Sequence, residues 1–428
     1  MSVLAGGLLH RDHVLTVPVD RADPTRFGSI EVFAREVVDP TRDGEDLPLL
    51  LFLQGGPGGQ GPRPTGGGWL ATATRTHRVI LLDQRGTGRS GAITSDTIAA
   101  FPDARTAAGY LARFRADAIV ADAEDLRTRV FGGRRWSTLG QSYGGFLTLT
   151  YLSRHPDAIE AAYVTGGLPG ITADAGEVYR RTFDLQAARN RELAQRFPDD
   201  VVALGSLADR VEAAPVALPT GERLTARRLQ LLGMGLGMST GVEQVHWALE
   251  TGLDADGAPT PSLLATIAHE TSFATNPLYA VLQEVIYHQG ARTPGWAAQT
   301  ELDRRPAFAA GARPLQLTGE AIFPWMYREI PGLHAFEAVA HELAARPEWP
   351  ALYDVDALAR NEVPLAAVQY LDDPYVDVDL ALGTARAVGN AQVWVTNEYL
   401  HDGLRTGGEV ILPRLMDLAA GRWRVTAR

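Results

Sequence analysis

Trp136-Ser137-Thr138-Leu139-Gly140-Gln141-Ser142-Tyr143-Gly144-Gly145-Phe146-Leu147-Thr148-Leu149-Thr150-Tyr151-Leu152-Ser153 is the stretch that decides the fold of this 428-residue chain. Trp136 to Leu139 reads as a short strand and Phe146 to Ser153 as a helix. Between them, Gly140-Gln141-Ser142-Tyr143-Gly144 fits G-x-S-x-G, in which a serine sits on a strained strand-to-helix turn. Small residues flank it because the backbone passes so close to itself. The bare pattern is weak, since a glycine-rich turn can hold an incidental serine. A strand before it and a helix after it supply the context that gives it meaning.

Upstream, His13 to Val19 and Ser29 to Val37 read as an opening pair of strands. Leu47 to Leu53 is an unbroken apolar run, as suits a strand buried on both faces, and it stops at Gly55-Gly56-Pro57-Gly58-Gly59. Arg78 to Leu82 repeats the pattern, and Ala116 to Val130 has helical spacing. Downstream, Ala161 to Thr165 is again strand-like. This alternation predicts an α/β fold, a mostly parallel sheet with helices on both faces. From about Pro169 to Trp349 strand-like runs become scarce and helical spacing prevails. Pro364 to Tyr370 and Ala391 to Thr396 then read as buried strands, and Val410 to Ala420 as a closing helix. The expected organisation is a core from 1–168 and 356–428 around a large, mainly helical insertion over 169–355.

All 40 basic residues are arginine, and the chain has neither lysine nor cysteine. A lysine Schiff base, a Ser-Lys dyad, a P-loop lysine, a thiol nucleophile and a thiolate metal site are therefore excluded. The 45% hydrophobic and 21% charged content is that of a globular protein. A net charge of −11 argues against nucleic acid or an anionic membrane as partner. No apolar run reaches 18 residues, and Val3 to Leu9 has no basic segment ahead of it, so a cytoplasmic location is expected. His341-Glu342 and His269-Glu270 both lack the second histidine of HExxH, and Gly86 and Gly88 lack the third glycine of a dinucleotide fingerprint. Gly233, Gly235 and Gly237 read as packing or a bend. Neither metal nor organic cofactor is expected.

A serine of ordinary pKa needs a base, and the base an orienting acid; behind such an elbow the chain order is Ser, Asp or Glu, then His. Of ten histidines only His401 follows the late strands, in a loop at a strand's carboxyl end. His155 is too near Ser142 along one helix, and His10 and His13 precede the core. The acid should end the preceding strand, where Asp373 is favoured and Asp372 is the alternative. The oxyanion hole needs two backbone N–H donors: that of Tyr143, and one from the glycine loop after the third strand, Gly55 or Gly56.

Gln54-Gly55-Gly56-Pro57-Gly58-Gly59, Asp83-Gln84-Arg85-Gly86-Thr87-Gly88-Arg89-Ser90 and Gly140-Gln141-Ser142-Tyr143-Gly144-Gly145 together resemble the proline iminopeptidase family of α/β-hydrolases, and its larger members in particular. That family shows HGGPG, DQRGxGxS and GxSxGG in this order, so Gln54 departs from the usual histidine. The resemblance implies an α/β-hydrolase with a helical cap that removes an N-terminal residue, commonly proline, from peptides or amino-acid amides with a free N-terminus. Such an enzyme must recognise an ammonium, so carboxylates among aromatics are wanted in the insertion. Glu284 and Glu320 fit, with Glu177 a weaker third. An esterase, an aminopeptidase releasing longer fragments and a silent binding scaffold are the rival readings.

Overall fold

The computed structural model describes residues 2–290 and 295–425. Its sheet is built from β1 (Ser2–Ala5), β2 (Leu8–Pro18), β3 (Ser29–Val38), β4 (Leu49–Leu53), β5 (Arg78–Leu82), β6 (Trp136–Gln141), β7 (Ile159–Thr165), β8 (Leu365–Tyr370) and β9 (Ala391–Thr396). The spatial order is β1-β2-β3-β5-β4-β6-β7-β8-β9. β1, β2 and β3 pair antiparallel, as do β3 and β5, and all pairs from β5 to β9 are parallel. This is the α/β-hydrolase architecture.

Successive side chains of a strand face opposite sides, and β4 uses both. Leu49, Leu51 and Leu53 join one hydrophobic cluster with Ile119, Leu126 and Leu147. Leu50 and Phe52 join another with Leu81, Leu412 and Leu415. Helices Ala116–Arg129 and Tyr143–Arg154 cover the first face, and Gly403–Ala419 the second. Burial on both faces explains an apolar run without alternation.

Four expectations change in detail. The glycine loop follows the fourth strand rather than the third, because the β1–β2 hairpin adds a strand that the first residues do not advertise. His10 and His13 lie within β2, where they bond Ala5 O (3.0 Å) and Glu36 (2.8 Å), so they belong to the sheet rather than precede it. β9 is the edge strand, so only Trp394 of its six residues is buried. The closing helix also begins earlier than its apolar pattern, directly behind His401. Its first turns carry Gly407 and Gly408 because a Cβ there would lie 2.3 Å from the Tyr399 ring and 2.5 Å from Trp69.

Between Thr165 and Leu365 the described residues form helices and only isolated bridges. Leu193, Leu207, Val242, Ile267 and Leu317 make a core internal to this insertion. Phe183, Leu278, Phe323 and Trp349 pack instead with Ile93, Leu111 and Phe114, which precede the elbow in sequence. No helix of the described residues is long and apolar enough to cross a membrane.

Candidate active site

Ser142 has φ 54° and ψ −124°, a conformation side chains rarely adopt, and its amide donates to Thr165 O (3.0 Å). The neighbouring glycines are dictated by space. A Cβ would come within 2.3 Å of Gly144 O at Gly140, 1.9 Å of Leu53 O at Gly144, and 2.1 Å of Gly167 O at Gly145. The turn is wedged between the end of β4 and the end of β7, which fixes the direction of the serine hydroxyl.

The Ser142 hydroxyl lies 2.8 Å from His401 Nε2, and His401 Nδ1 lies 2.7 Å from Asp373 Oδ2. All three residues are buried. The other oxygen of Asp373 accepts the amides of Tyr375 (2.8 Å) and Val376 (3.3 Å), which orients the carboxylate. Asp372 is exposed in the turn. Burial disfavours a charged imidazole at His401, but the charge and hydrogen bond of Asp373, with Glu320 and Asp402 behind, outweigh it and leave the pKa above the ordinary value. His401 N donates to Gly237 O (3.1 Å), and Gly237 N to the Tyr375 hydroxyl (3.0 Å). The Tyr375 ring meets His401 edge-on, 4.8 Å between centroids. A Cβ at Gly237 would stand 2.3 Å from that ring, so this glycine, in the sequence a packing residue, packs against the histidine's support.

Tyr143 opens helix Tyr143–Arg154, so its amide has no acceptor within the helix. A Cβ on Gly55 would lie 3.0 Å from Ser142 Cβ, so the glycine loop passes directly over the serine. Gly56, at φ 132°, follows in the same loop. The loop is braced by the Asp83–Ser90 motif. Gln84 Nε2 donates to Gln54 O (2.7 Å), and Asp83 accepts the Gly61 and Arg89 amides and both terminal nitrogens of Arg63. Arg85 places Nε and Nη2 on Asp122 at 2.7 and 2.6 Å, both side chains buried. This motif, in the sequence a mark of family resemblance, is here the scaffold that holds the glycine loop.

Glu320 accepts the Tyr279 hydroxyl (2.6 Å) beside Thr182, Phe183, Gln186 and Pro374. Burial raises its pKa, against which the His401 charge and the Tyr279 bond act, and the net position is above the usual carboxylate value. Glu284 accepts the amides of Ala297 (3.0 Å) and Ala298 (3.3 Å), so it caps helix Ala297–Asp303. After burial, the charges of both acids act on the phenols of Tyr179 and Tyr287, so the two flank one aromatic cluster. Among the described residues no arginine ion-pairs with either. Glu177 instead pairs with Arg181 on the surface (3.3 Å). Tyr375 carried no sequence signal and Tyr279 only that of one aromatic among several in the insertion, because only tertiary packing brings their hydroxyls here.

Residues 48–208 match the family model described as alpha/beta hydrolase fold. The proline iminopeptidase of Aeromonas sobria is 42% identical over 414 residues, covering 96% of this chain and 97% of that protein. Proline iminopeptidase aneH of Aspergillus aculeatus is 34% identical over 421 residues, covering 95% of this chain and 92% of that one. With a serine elbow, a hydrogen-bonded histidine and acid, and full-length similarity of this order, the chain belongs to the proline iminopeptidase family of α/β-hydrolases.

Proposed function

We propose that this protein is a serine aminopeptidase that hydrolyses the N-terminal residue, preferentially proline, from peptides or amino-acid amides. Ser142 attacks the carbonyl of that residue as His401 takes its proton, and Asp373 holds the imidazole. The amides of Tyr143 and of Gly55 or Gly56 stabilise the oxyanion. His401 then protonates the leaving amine, and water, activated by the same histidine, cleaves the acyl-enzyme. Glu320, and behind it Glu284, receive the substrate ammonium, and the tyrosine cluster receives the proline ring.

The observation that carries this reading is Glu320: a carboxylate that acts on His401, bonded to a neutral phenol and without an arginine counter-ion among the described residues. A partly buried carboxylate of that kind favours a cationic ligand. Proline β-naphthylamide should be cleaved and its N-acetyl derivative not, by naphthylamine release; equal turnover of the two would remove the ammonium from the argument. The proposal includes segment 169–355 as a cap over a core of 1–168 and 356–428, and a cytoplasmic enzyme with neither nucleic acid nor membrane as partner.

A further inference from the structure

His401 is delivered by the least supported strand of the sheet. β9 lies at the edge, pairs with β8 alone, and has only Trp394 of its six residues buried. The loop behind it is held from the other side by residues 234–239 of the insertion. His401 N donates to Gly237 O (3.1 Å), and the adjacent carboxylate of Asp402 accepts the amide (2.9 Å) and the hydroxyl (2.6 Å) of Ser239. Asp402 stands at the N-cap of helix Gly403–Ala419, yet its side chain makes no capping bond to that helix. An aspartate in that position ordinarily accepts from its own helix, so its engagement with Ser239 ties the base loop to the insertion instead.

Tyr375 closes the arrangement. Its amide donates to Asp373 Oδ1 (2.8 Å), and its hydroxyl accepts from Gly237 N (3.0 Å) and donates to Met234 O. Its buried ring packs edge-on against the imidazole, 4.8 Å between centroids. With the contact of Asp373 Oδ2 to His401 Nδ1 (2.7 Å), these bonds make a closed circuit, from Asp373 to His401 to Gly237 to Tyr375 and back to Asp373. Three of its members follow β8 and β9 in the chain. The fourth, Gly237, is backbone of the insertion.

We propose that Tyr375 is a positioning residue for the base: its hydroxyl fixes Gly237, and through Gly237 the insertion fixes the backbone of His401, so that the insertion takes part in activating the serine. This rests on the roles given above to Ser142, His401 and Asp373, and not on the identity of the substrate. A base acts only from within hydrogen-bond reach of the proton it takes, and a displacement of about 1 Å can cost about 100-fold in rate. Both bonds of the Tyr375 hydroxyl are made to backbone of the insertion, so its loss bears on kcat rather than on KM.

The test uses the full-length protein and two probes: a fluorophosphonate, which reports activation of Ser142 without any need for an ammonium, and proline β-naphthylamide. Tyr375→Phe keeps the ring and removes the hydroxyl. Its phosphonylation rate and its kcat should both fall about 10- to 100-fold, with KM within about twofold of wild type. Ser239→Ala, at the surface, removes one of the two bonds to Asp402 and should slow phosphonylation about threefold. Burial lowers the His401 pKa and Asp373 raises it above the ordinary value, with Glu320 and Asp402 contributing. A looser bond to Asp373 therefore moves the acidic limb of the phosphonylation rate down in pH in Tyr375→Phe, whereas loss of folded protein alone would scale the rate equally at every pH. Wild-type phosphonylation in both variants, a loss carried by KM alone, or a loss that follows the folded fraction and leaves the limb in place would overturn the proposal. Wild type that is phosphonylated but leaves proline β-naphthylamide intact would overturn the aminopeptidase reading only. Wild type inert to the phosphonate would overturn the roles of the three residues, and the proposal with them.

Discussion

Replacing Glu320 with glutamine isolates one charge at the site with little change of shape. The amide oxygen can still accept the Tyr279 hydroxyl, which now lies 2.6 Å from the carboxylate, so packing and that hydrogen bond survive. What disappears is the attraction proposed for a substrate ammonium. At about 3 Å contact and an effective dielectric near 20, that attraction is roughly 5–6 kcal/mol before desolvation. Stripping water from both ions removes part of it, and truncation of one partner of a buried charged pair costs about 2–5 kcal/mol. A loss of about 2–4 kcal/mol corresponds to roughly 30- to 1,000-fold in kcat/KM. The assay is release of naphthylamine from proline β-naphthylamide and from its N-acetyl form, in parallel. The free substrate should lose activity and the blocked one should not change. A second readout comes from pH: the Glu320 charge contributes to holding His401 above its ordinary pKa. His401 must be neutral to act as base, so the acidic limb of kcat/KM in the wild type lies above the ordinary imidazole value of 6.5 and moves down in Glu320→Gln. A loss below fivefold on the free substrate, or an acidic limb that moves up, would refute the reasoning.

Two further outcomes follow from packing and charge. Gly144→Ala puts a Cβ 1.9 Å from Leu53 O, a backbone atom that cannot rotate away, so the elbow must shift; stability should fall by about 1–3 kcal/mol and kcat by at least about 100-fold, and a folded variant of wild-type kcat would contradict this. Asp122→Asn removes the negative charge that faces both the buried Arg85 fork and Arg21, leaving Arg85 the carbonyls of Val19 (2.9 Å) and Arg113 (2.8 Å), so urea unfolding should show a loss of about 3–5 kcal/mol; a cost under about 1 kcal/mol would mean that those carbonyls suffice for the guanidinium.

The elements nearest the reacting serine were readable because their constraints are local. Leu49–Leu53 is apolar throughout because both faces are covered, and the glycines around Ser142 are there because neighbouring carbonyls leave no room for a Cβ. His401 and Asp373 were reachable by chain order and by the ends of β8 and β9. The closing helix starts seven residues ahead of its apolar pattern, since Gly407 and Gly408 interrupt that pattern for reasons set by the Tyr399 ring and by Trp69, the latter far away in sequence. Glu284 lies among aromatics, as its sequence neighbours imply, but its contacts with the amides of Ala297 and Ala298 depend on a helix terminus that sequence spacing does not reveal. The bracing role of Asp83 and Arg85 was likewise invisible, because partners such as Asp122 and Gln54 are brought together only by the sheet.

The parallel pairing of β7 with β8 has a consequence for how the molecule comes into being. Ser142 precedes the insertion and both of its partners follow it, with His401 lying 259 positions further along the chain. During synthesis the serine therefore leaves the ribosome long before His401, its hydrogen-bond partner, exists. If Ser142, Asp373 and His401 act as proposed, a fully folded first half is inert, and the serine becomes reactive only when β8 and β9 dock against β7 and complete the sheet. Reactivity toward an active-site-directed phosphonate is thus a direct gauge of completed folding, and two separately expressed pieces, cut within the insertion, would acquire it only on reassembly.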